Sequence, residues 1–425
     1  MSRTGLASPP MGWNSWDCYG TTVTEAEVLA NAHFMADNLL RFGWDTVVVD
    51  IDWSDPTAKA HGYNLDPPLV MDGHGRLMPD PGRFPSAADG SGFTSLASHI
   101  HDLGLKFGIH TMRGIPRRAV ASDLPVLGTD ATAAQIAAIH DLCPWNSDMV
   151  GVDMSHPAGQ AYYDSTLALY AAWGVDYLKT DDMLAPYHSA EIEALSLGVA
   201  RCGRPITVSL SPGTALSLAH VDHLRGSADL WRICDDVWDR WEDIRANVDR
   251  LARWAPYGGP EGWPDADMLP LGHISIRGER GEDRIDHLTS TERVTMMTLW
   301  AIGRSPLMIG GDLPTTPGDT IALFQNPEVI ALNQRGASTR QLVRESDLVI
   351  WGASLDGCPV TAIINLGDDA MIQDLDLTDL SMSPGPEIRD LWSGQPVMSS
   401  LDQRGRPILS CQIPTHGSLL LRQGR

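Results

Sequence analysis

A (β/α)8 TIM barrel followed by a C-terminal antiparallel β domain is the architecture this sequence predicts, and three observations predict it. From about residue 10 to residue 335, short runs rich in Val, Ile and Leu alternate with segments of helical period, the signature of βα units on a parallel sheet. Eight such runs occur, and eight strand–helix repeats fit a barrel, which takes ~250 residues before insertions. After residue 333 the helical period stops, and short alternating runs punctuated by Gly, Pro and Asp replace it. A doubly wound sheet is the structural alternative for the first part.

The strands are predicted at 11–16, 46–53, 106–111, 176–182, 206–211, 230–236, 267–271 and 307–311, each a short run of β-favouring residues bounded by turn residues. Apolar residues at helical spacing place helices at 25–42, 93–103, 160–173, 191–201, 241–254, 291–302 and 321–332, and this pattern is faintest around 215–224. Segments 54–92 and 112–159 are long, rich in Pro, Gly and Asp, and follow strands two and three, where excess chain builds the walls of a site. Runs at 348–353, 360–366, 387–392 and 418–422 read as an antiparallel unit. The domains expected are therefore a catalytic barrel over 1–335 and a β-sandwich domain over 336–425.

Composition narrows the function. The chain has 425 residues, 43% hydrophobic and 20% charged, which is ordinary for a folded globular protein. With 31 Lys and Arg against 54 Asp and Glu, the net charge of −23 repels phosphate backbones and anionic lipid, so nucleic acid and membrane are not expected partners. Fourteen Trp residues suit stacking on the flat apolar faces of sugars, although many Trp residues simply fill cores. Six scattered Cys residues without a CxxC pair read as free thiols. No apolar signal segment opens the chain and no run of 18 apolar residues interrupts it, so a cytoplasmic protein is the expectation. There is no HExxH, strand-to-helix GxGxxG or GxxxxGK[ST], which removes zincin, dinucleotide and P-loop chemistry. No metal site is predicted.

In a barrel, polar residues at the C-terminal ends of the strands converge on one site. Strand two ends Asp50-Ile51-Asp52-Trp53, strand four Lys179-Thr180-Asp181-Asp182, strand six carries Arg232, Cys234 and Asp236, and strand seven Asp265 and Asp267. Residues two apart share a face, so Lys179 points with Asp181, and Arg232 with Asp236. An Asp beside a Lys stays ionised and can attack, while a second carboxyl can deliver a proton, the division of labour that glycosidic cleavage requires. A single Asp at a strand end also serves as a helix cap; the conjunction of cation and carboxylate on two strands is what points to chemistry.

The runs PPMGWNSW, GRLMPDPGRFP, GLKFGIH, GVDYLKTDD, WRICDD, GWPDADML and MMTLWAIGRSPLMIGGDL, with DLWSG and PTHGSLLL near the end, resemble glycoside hydrolase family 27, the α-galactosidases and α-N-acetylgalactosaminidases. The resemblance spans nearly the whole chain and implies a retaining exo-glycosidase on a (β/α)8 barrel with an antiparallel β domain. It implies Asp181 as the nucleophile and Asp236 as the acid/base, with carboxyl groups about 5 to 5.5 Å apart. Trp16 would pack on the sugar's apolar face, Lys179 and Arg232 would bond its hydroxyls, Asp50 would take the C4 or C6 hydroxyl, and Asp267 would orient neighbouring groups. No metal or organic cofactor is implied. Family members are often homodimers, and the partner expected otherwise is a galactose-configured glycoside.

Departures from the family pattern concern specificity. D-D-C-W is usual after strand two, whereas this chain reads Asp50-Ile51-Asp52-Trp53, so one of two paired sugar-binding carboxylates is replaced or shifted. His110 stands where Tyr is usual, with Arg113 beyond it, a basic pair that binds an unusual group or an Asp of strand two. After strand five, Ser211 makes room at the sugar's C2. α-Galactosidase is thus the leading expectation, α-N-acetylgalactosaminidase and β-L-arabinopyranosidase its rivals, and a non-catalytic carbohydrate-binding protein the alternative from another class.

Overall fold

The structure, a computed structural model, describes residues 5–424. Its first part is a sheet of eight parallel strands: β1 Met11–Asn14, β2 Thr46–Val49, β3 Lys106–Met112, β4 Tyr177–Asp181, β5 Thr207–Leu210, β6 Leu230–Arg232, β7 Trp263–Asp265 and β8 Leu307–Ile309. Strands pair in chain order and β8 returns to β1. The ring closes just beyond β7, where Leu269 N donates to the Met308 carbonyl at 2.8 Å and Gly310 N donates to the Leu269 carbonyl at 2.9 Å. β-Branched Val47, Val48 and Val49 make β2 a fully buried strand, as a sheet covered on both faces requires.

Strand seven differs from the expectation. Pairing with β6 runs over Trp263–Asp265, and 267–271 forms no strand. Asp267 adopts a left-handed backbone (φ 79°) and its N–H bonds Asp265 Oδ1, which ends the ladder; the chain then swings to β8 through Leu269. The helix expected at 321–332 is two, Gly318–Phe324 and Pro327–Arg335, because Pro327 has no N–H to continue the first and Asn326 caps the second. The faint pattern around 215–224 becomes a 3-10 turn, Leu218–His220, and a short helix, Val221–Ser227. Helices Glu25–Asn38 and Ser290–Gly303 start in capping boxes, Thr24 with Glu27 and Thr289 with Glu292.

The barrel is followed by a six-stranded antiparallel sheet that includes Ala337–Glu345, Leu348–Leu355, Cys358–Asn365, Ser418–Gln423 and Ile388–Asp390, packed against a three-stranded one. Two strands of the smaller sheet, Met371–Asp376 and Pro407–Ile413, escape the sequence reading because polar residues interleave with their apolar ones and no turn signal sets them off as apolar runs. Trp392 Nε1 donates to Thr298 Oγ1 at 2.8 Å and His416 stacks on Trp241 at 4.1 Å, joining this part to the barrel helices. Among the described residues all six cysteines are unpaired, and no helix is long and apolar enough to cross a membrane.

Candidate active site

A cavity of about 350 Å³ opens at the C-terminal ends of the strands, with Trp16, Asp50, His110, Lys179, Asp181 and Asp236 all on its wall. Two of these residues sit inside strands as direct neighbours: the β3–β4 register places His110 beside Lys179 and Met112 beside Asp181. Parallel pairing of consecutive strands thus lines up side chains that lie dozens of residues apart.

The floor is made first. Asp50 follows β2 and is fully buried; its Oδ1 accepts from Ile51 N at 2.9 Å, and its Oδ2 from Asn14 Nδ2 at 2.7 Å and Lys179 Nζ at 3.0 Å. Burial pushes the Asp50 carboxyl up, but Lys179, His110 and the hydrogen bonds outweigh it and hold the group well below the usual carboxylate range. Asp181 ends β4. Its Oδ1 accepts from Asp182 N at 2.8 Å, and its Oδ2 lies 3.4 Å from His110 Nε2. Here too burial is overcome, by His110 and then by Lys179, so the carboxyl is held low and stays ionised at neutral pH.

The opposite wall comes from the turn after β6. Arg232 reaches Asp236 Oδ1 with Nη2 at 3.1 Å and Asp267 Oδ1 with Nη1 at 2.8 Å, while Asp267 Oδ2 accepts from Val237 N at 2.7 Å. Asp267 therefore fixes both ends of the segment that carries Asp236. Its own carboxyl is pushed up to about 6, chiefly by burial, with Arg232 opposing and Asp236 and Asp265 adding to the rise. The Asp181 side chain is 16% exposed and that of Asp236 39%, so one carboxylate lies deep and the other at the mouth.

Three expected sugar contacts, Arg232, Asp52 and Ser211, are elsewhere. Arg232 is 2% exposed and occupied by two aspartates, so it positions Asp236 and is not on the cavity wall; Asp267 does the same from beneath. Asp52 takes a left-handed backbone (φ 63°) and its carboxyl is off the cavity wall, where burial and then the neighbouring Asp148 carboxyl push it up, and the apolar Ile51 faces the cavity instead. Ser211 is fully buried and Pro212 takes its place on the wall. Arg113 pairs with no Asp of strand two: it is buried among Asp182, Glu191 and Asp141, at 2.8, 2.6 and 2.9 Å. Asp141, His188 and Glu191 have the mutual distances of metal ligands, but Arg113 already pairs with both carboxylates.

Sequence reasoning missed Tyr63, Trp145, Glu279 and Arg280, which complete the wall. Tyr63 and Trp145 come from the two long segments expected to build it, so an aromatic residue in those segments was the available signal. Glu279 and Arg280 come from the chain after β7, in a Gly-flanked turn with no distinguishing pattern.

Residues 145–335 match the family profile described as Alpha galactosidase A, and residues 345–423 the one described as Alpha galactosidase C-terminal beta sandwich domain. A β-L-arabinopyranosidase of glycoside hydrolase family 27 from Geobacillus stearothermophilus, solved in complex with arabinose, is 45% identical, with a TM-score of 0.95 over 99% of this chain and 98% of that one. A candidate α-N-acetylgalactosaminidase from Bacillus halodurans C-125 is 41% identical, with a TM-score of 0.88 over 100% and 99% of the two chains. Alpha-galactosidase 2 of Arabidopsis thaliana is 26% identical over 92% of this chain and 85% of its own. With two aspartates on one sugar-sized cavity at the mouth of the barrel, and relatives of this closeness along the full chain, the protein belongs to glycoside hydrolase family 27 and is a glycosidase.

Proposed function

We propose that this enzyme is a retaining exo-glycosidase whose preferred substrates carry a terminal β-L-arabinopyranosyl residue, with α-galactosides cleaved less well. The observation that carries this reading is Ile51. β-L-Arabinopyranose has the ring configuration of α-galactose and lacks only the C6 hydroxymethyl group. Beside the Asp50 carboxylate the wall presents the buried Ile51 side chain, which offers no hydrogen bond to a hydroxyl set against it, and an unpaired buried hydroxyl costs about 1–3 kcal/mol. The 45% identity to the arabinopyranosidase supports the same assignment. For N-acetylgalactosamine the support is weaker, since Ser211 is not on the wall.

In the first displacement an Asp181 oxygen attacks the anomeric carbon while the bond from that carbon to the leaving oxygen breaks, and Asp236 gives its proton to that oxygen. In the second, Asp236 takes a proton from water, whose oxygen bonds the anomeric carbon as Asp181 leaves with its electron pair. Asp50 and Lys179, bonded to each other, present a fixed acceptor and donor to the ring hydroxyls; Trp16 packs on the ring's apolar face. No cofactor is needed for either step. The barrel over 1–335 would carry this chemistry and residues 336–425 would form the accessory β domain. The unpaired cysteines support action in a reducing, cytoplasmic compartment.

Nitrophenyl β-L-arabinopyranoside, α-galactoside and α-N-acetylgalactosaminide, assayed side by side, test the assignment. The arabinoside should have the highest kcat/KM, and Asp181→Ala should abolish turnover of it without changing Tm. A preference for galactoside overturns the sugar assignment; an Asp181→Ala enzyme with wild-type rate overturns the mechanism.

A further inference from the structure

The Asp181 carboxylate is held by the residue that follows it. Asp182 N donates to Asp181 Oδ1 at 2.8 Å, from a left-handed backbone (φ 60°) directly after β4. A residue with a Cβ keeps that conformation where its surroundings hold it. Here the holder is Arg113, the first residue beyond β3.

Arg113 is buried, is off the cavity wall and meets the turn at three points. Its backbone N donates to the Asp181 carbonyl at 3.0 Å, its Nε to the Asp182 carbonyl at 3.0 Å, and its Nη2 to Asp182 Oδ2 at 2.8 Å. The Asp181 carbonyl and the Asp182 N–H belong to one planar peptide unit, so pinning the carbonyl aims the N–H. The side chain fixes the next unit, and the two planes together set the left-handed angle. The remaining donors are occupied as well: Nη1 meets Glu191 Oε1 at 2.6 Å, and Nη1 and Nη2 grip Asp141 at 2.9 Å each. Every N–H of the guanidinium therefore has an acceptor. Glu191 is fixed in turn by the Tyr163 hydroxyl, which accepts from Gly114 N at 3.2 Å. On the other side of the turn, Met183 N donates to the Ser211 carbonyl at 2.9 Å. A lysine could supply the charge but not this geometry, because an ammonium has no planar fork.

We propose that Arg113 is a positioning residue for the reaction: through Asp182 it aims the N–H that orients the Asp181 carboxylate for attack on the anomeric carbon. This rests on the reading of Asp181 as the nucleophile. The same bond favours the anion. Burial raises the Asp181 carboxyl, and His110, Lys179 and then the Asp182 N–H bring it below its ordinary value; Tyr63 and Cys143 also sense its charge.

The test uses whichever of the three nitrophenyl glycosides the wild type cleaves best. Arg113→Lys keeps the charge and loses the fork, so kcat should fall about tenfold with KM within about twofold. With the N–H no longer aimed at Oδ1, the acidic limb of kcat/KM should move up by about one pH unit. Asp182→Ala gives up the anchor and disfavours the left-handed turn, and should match Arg113→Lys. Asp182→Asn keeps an acceptor for Arg113 and tolerates that turn, and should retain most of kcat. Combining Arg113→Lys with Asp182→Ala should cost no more than either alone. Rates are taken per folded molecule, with the folded fraction from circular dichroism. Variants that lose Tm but keep the wild-type kcat and acidic limb, or whose losses in kcat simply add, make Arg113 a brace of the fold alone and overturn the proposal. If Arg113→Lys does not fold, equal kcat for Asp182→Ala and Asp182→Asn overturns it. An Asp181→Ala enzyme at the wild-type rate overturns the nucleophile and its positioning together.

Discussion

Replacing Lys179 by Met probes the electrostatic core of the site. Lys179 Nζ lies 3.0 Å from Asp50 Oδ2, with the lysine side chain 12% and the aspartate 2% exposed. At an effective dielectric of about 20, unit charges at that distance attract by about 5 to 6 kcal/mol. Removing one partner of such a pair leaves a buried charge and costs about 3–5 kcal/mol in practice. Asp50 would keep its bonds from Asn14 and Ile51 N. With an unfolding entropy of about 2.1 cal/mol/K per residue over 425 residues, the loss corresponds to a Tm lowered by about 3–6 °C. The pH dependence has a definite sign. In the wild type the lowered Asp50 carboxyl contributes stability that is complete above the ordinary Asp value of about 3.9 and is lost as pH falls through the lowered value. Without Lys179, burial is the largest influence left and pushes the carboxyl up, so its anion destabilises the fold increasingly as pH rises above about 4. The Tm deficit of Lys179→Met should therefore be larger at about pH 8 than at about pH 5, measured by differential scanning calorimetry. An equal deficit at both values, or none, refutes the reasoning.

Two further perturbations read other parts of the frame. Burial pushes Asp148 up to about 6 against its hydrogen bonds to Asp52 and Asn146, and Asp52 is raised as well, so the folded state holds a proton that the unfolded chain releases above about 3.9. Stability should fall as pH rises from about 4 through 6, and Asp148→Asn should flatten that fall by about 1–3 kcal/mol in thermal scans; parallel curves would remove the shared proton from the account. At Gly310 an added Cβ would stand 1.8 Å from Asp17 Oδ2, and Asp17 is 2% exposed with its carboxyl raised by burial and then by Asp267 and Asp236. Gly310→Ala should cost about 1–3 kcal/mol and lower kcat, and adding Asp17→Ala should recover part of the stability; strictly additive losses would show that the two residues do not collide.

The barrel was legible because its signal is local. Val47 to Val49, Tyr177 to Asp181 and the capped helices between them announce strand and helix in the residues themselves, and eight repeats leave few ways to close a sheet. Asp181 was legible for the same reason, since a strand end fixes which way an even-spaced side chain points; the strand expected at 230–236 stops at Arg232, and Asp236 reaches the cavity from the turn beyond it, held by Arg232. Whether Arg232 touches sugar or holds Asp236, and whether Asp52 or Ile51 meets the cavity, is decided by backbone dihedrals and by partners 35 or more residues away, Asp267 for the arginine and Asp148 for the aspartate. The break between Asp265 and Asp267 was equally hidden, because a single left-handed residue ends one ladder and starts another without changing the apolar pattern. Residue type and spacing thus determined the scaffold and singled out the proposed pair, Asp181 and Asp236. The tertiary structure alone decided which remaining side chains face the cavity, because a one-residue change in direction moves a side chain from the cavity into the core at no cost in composition.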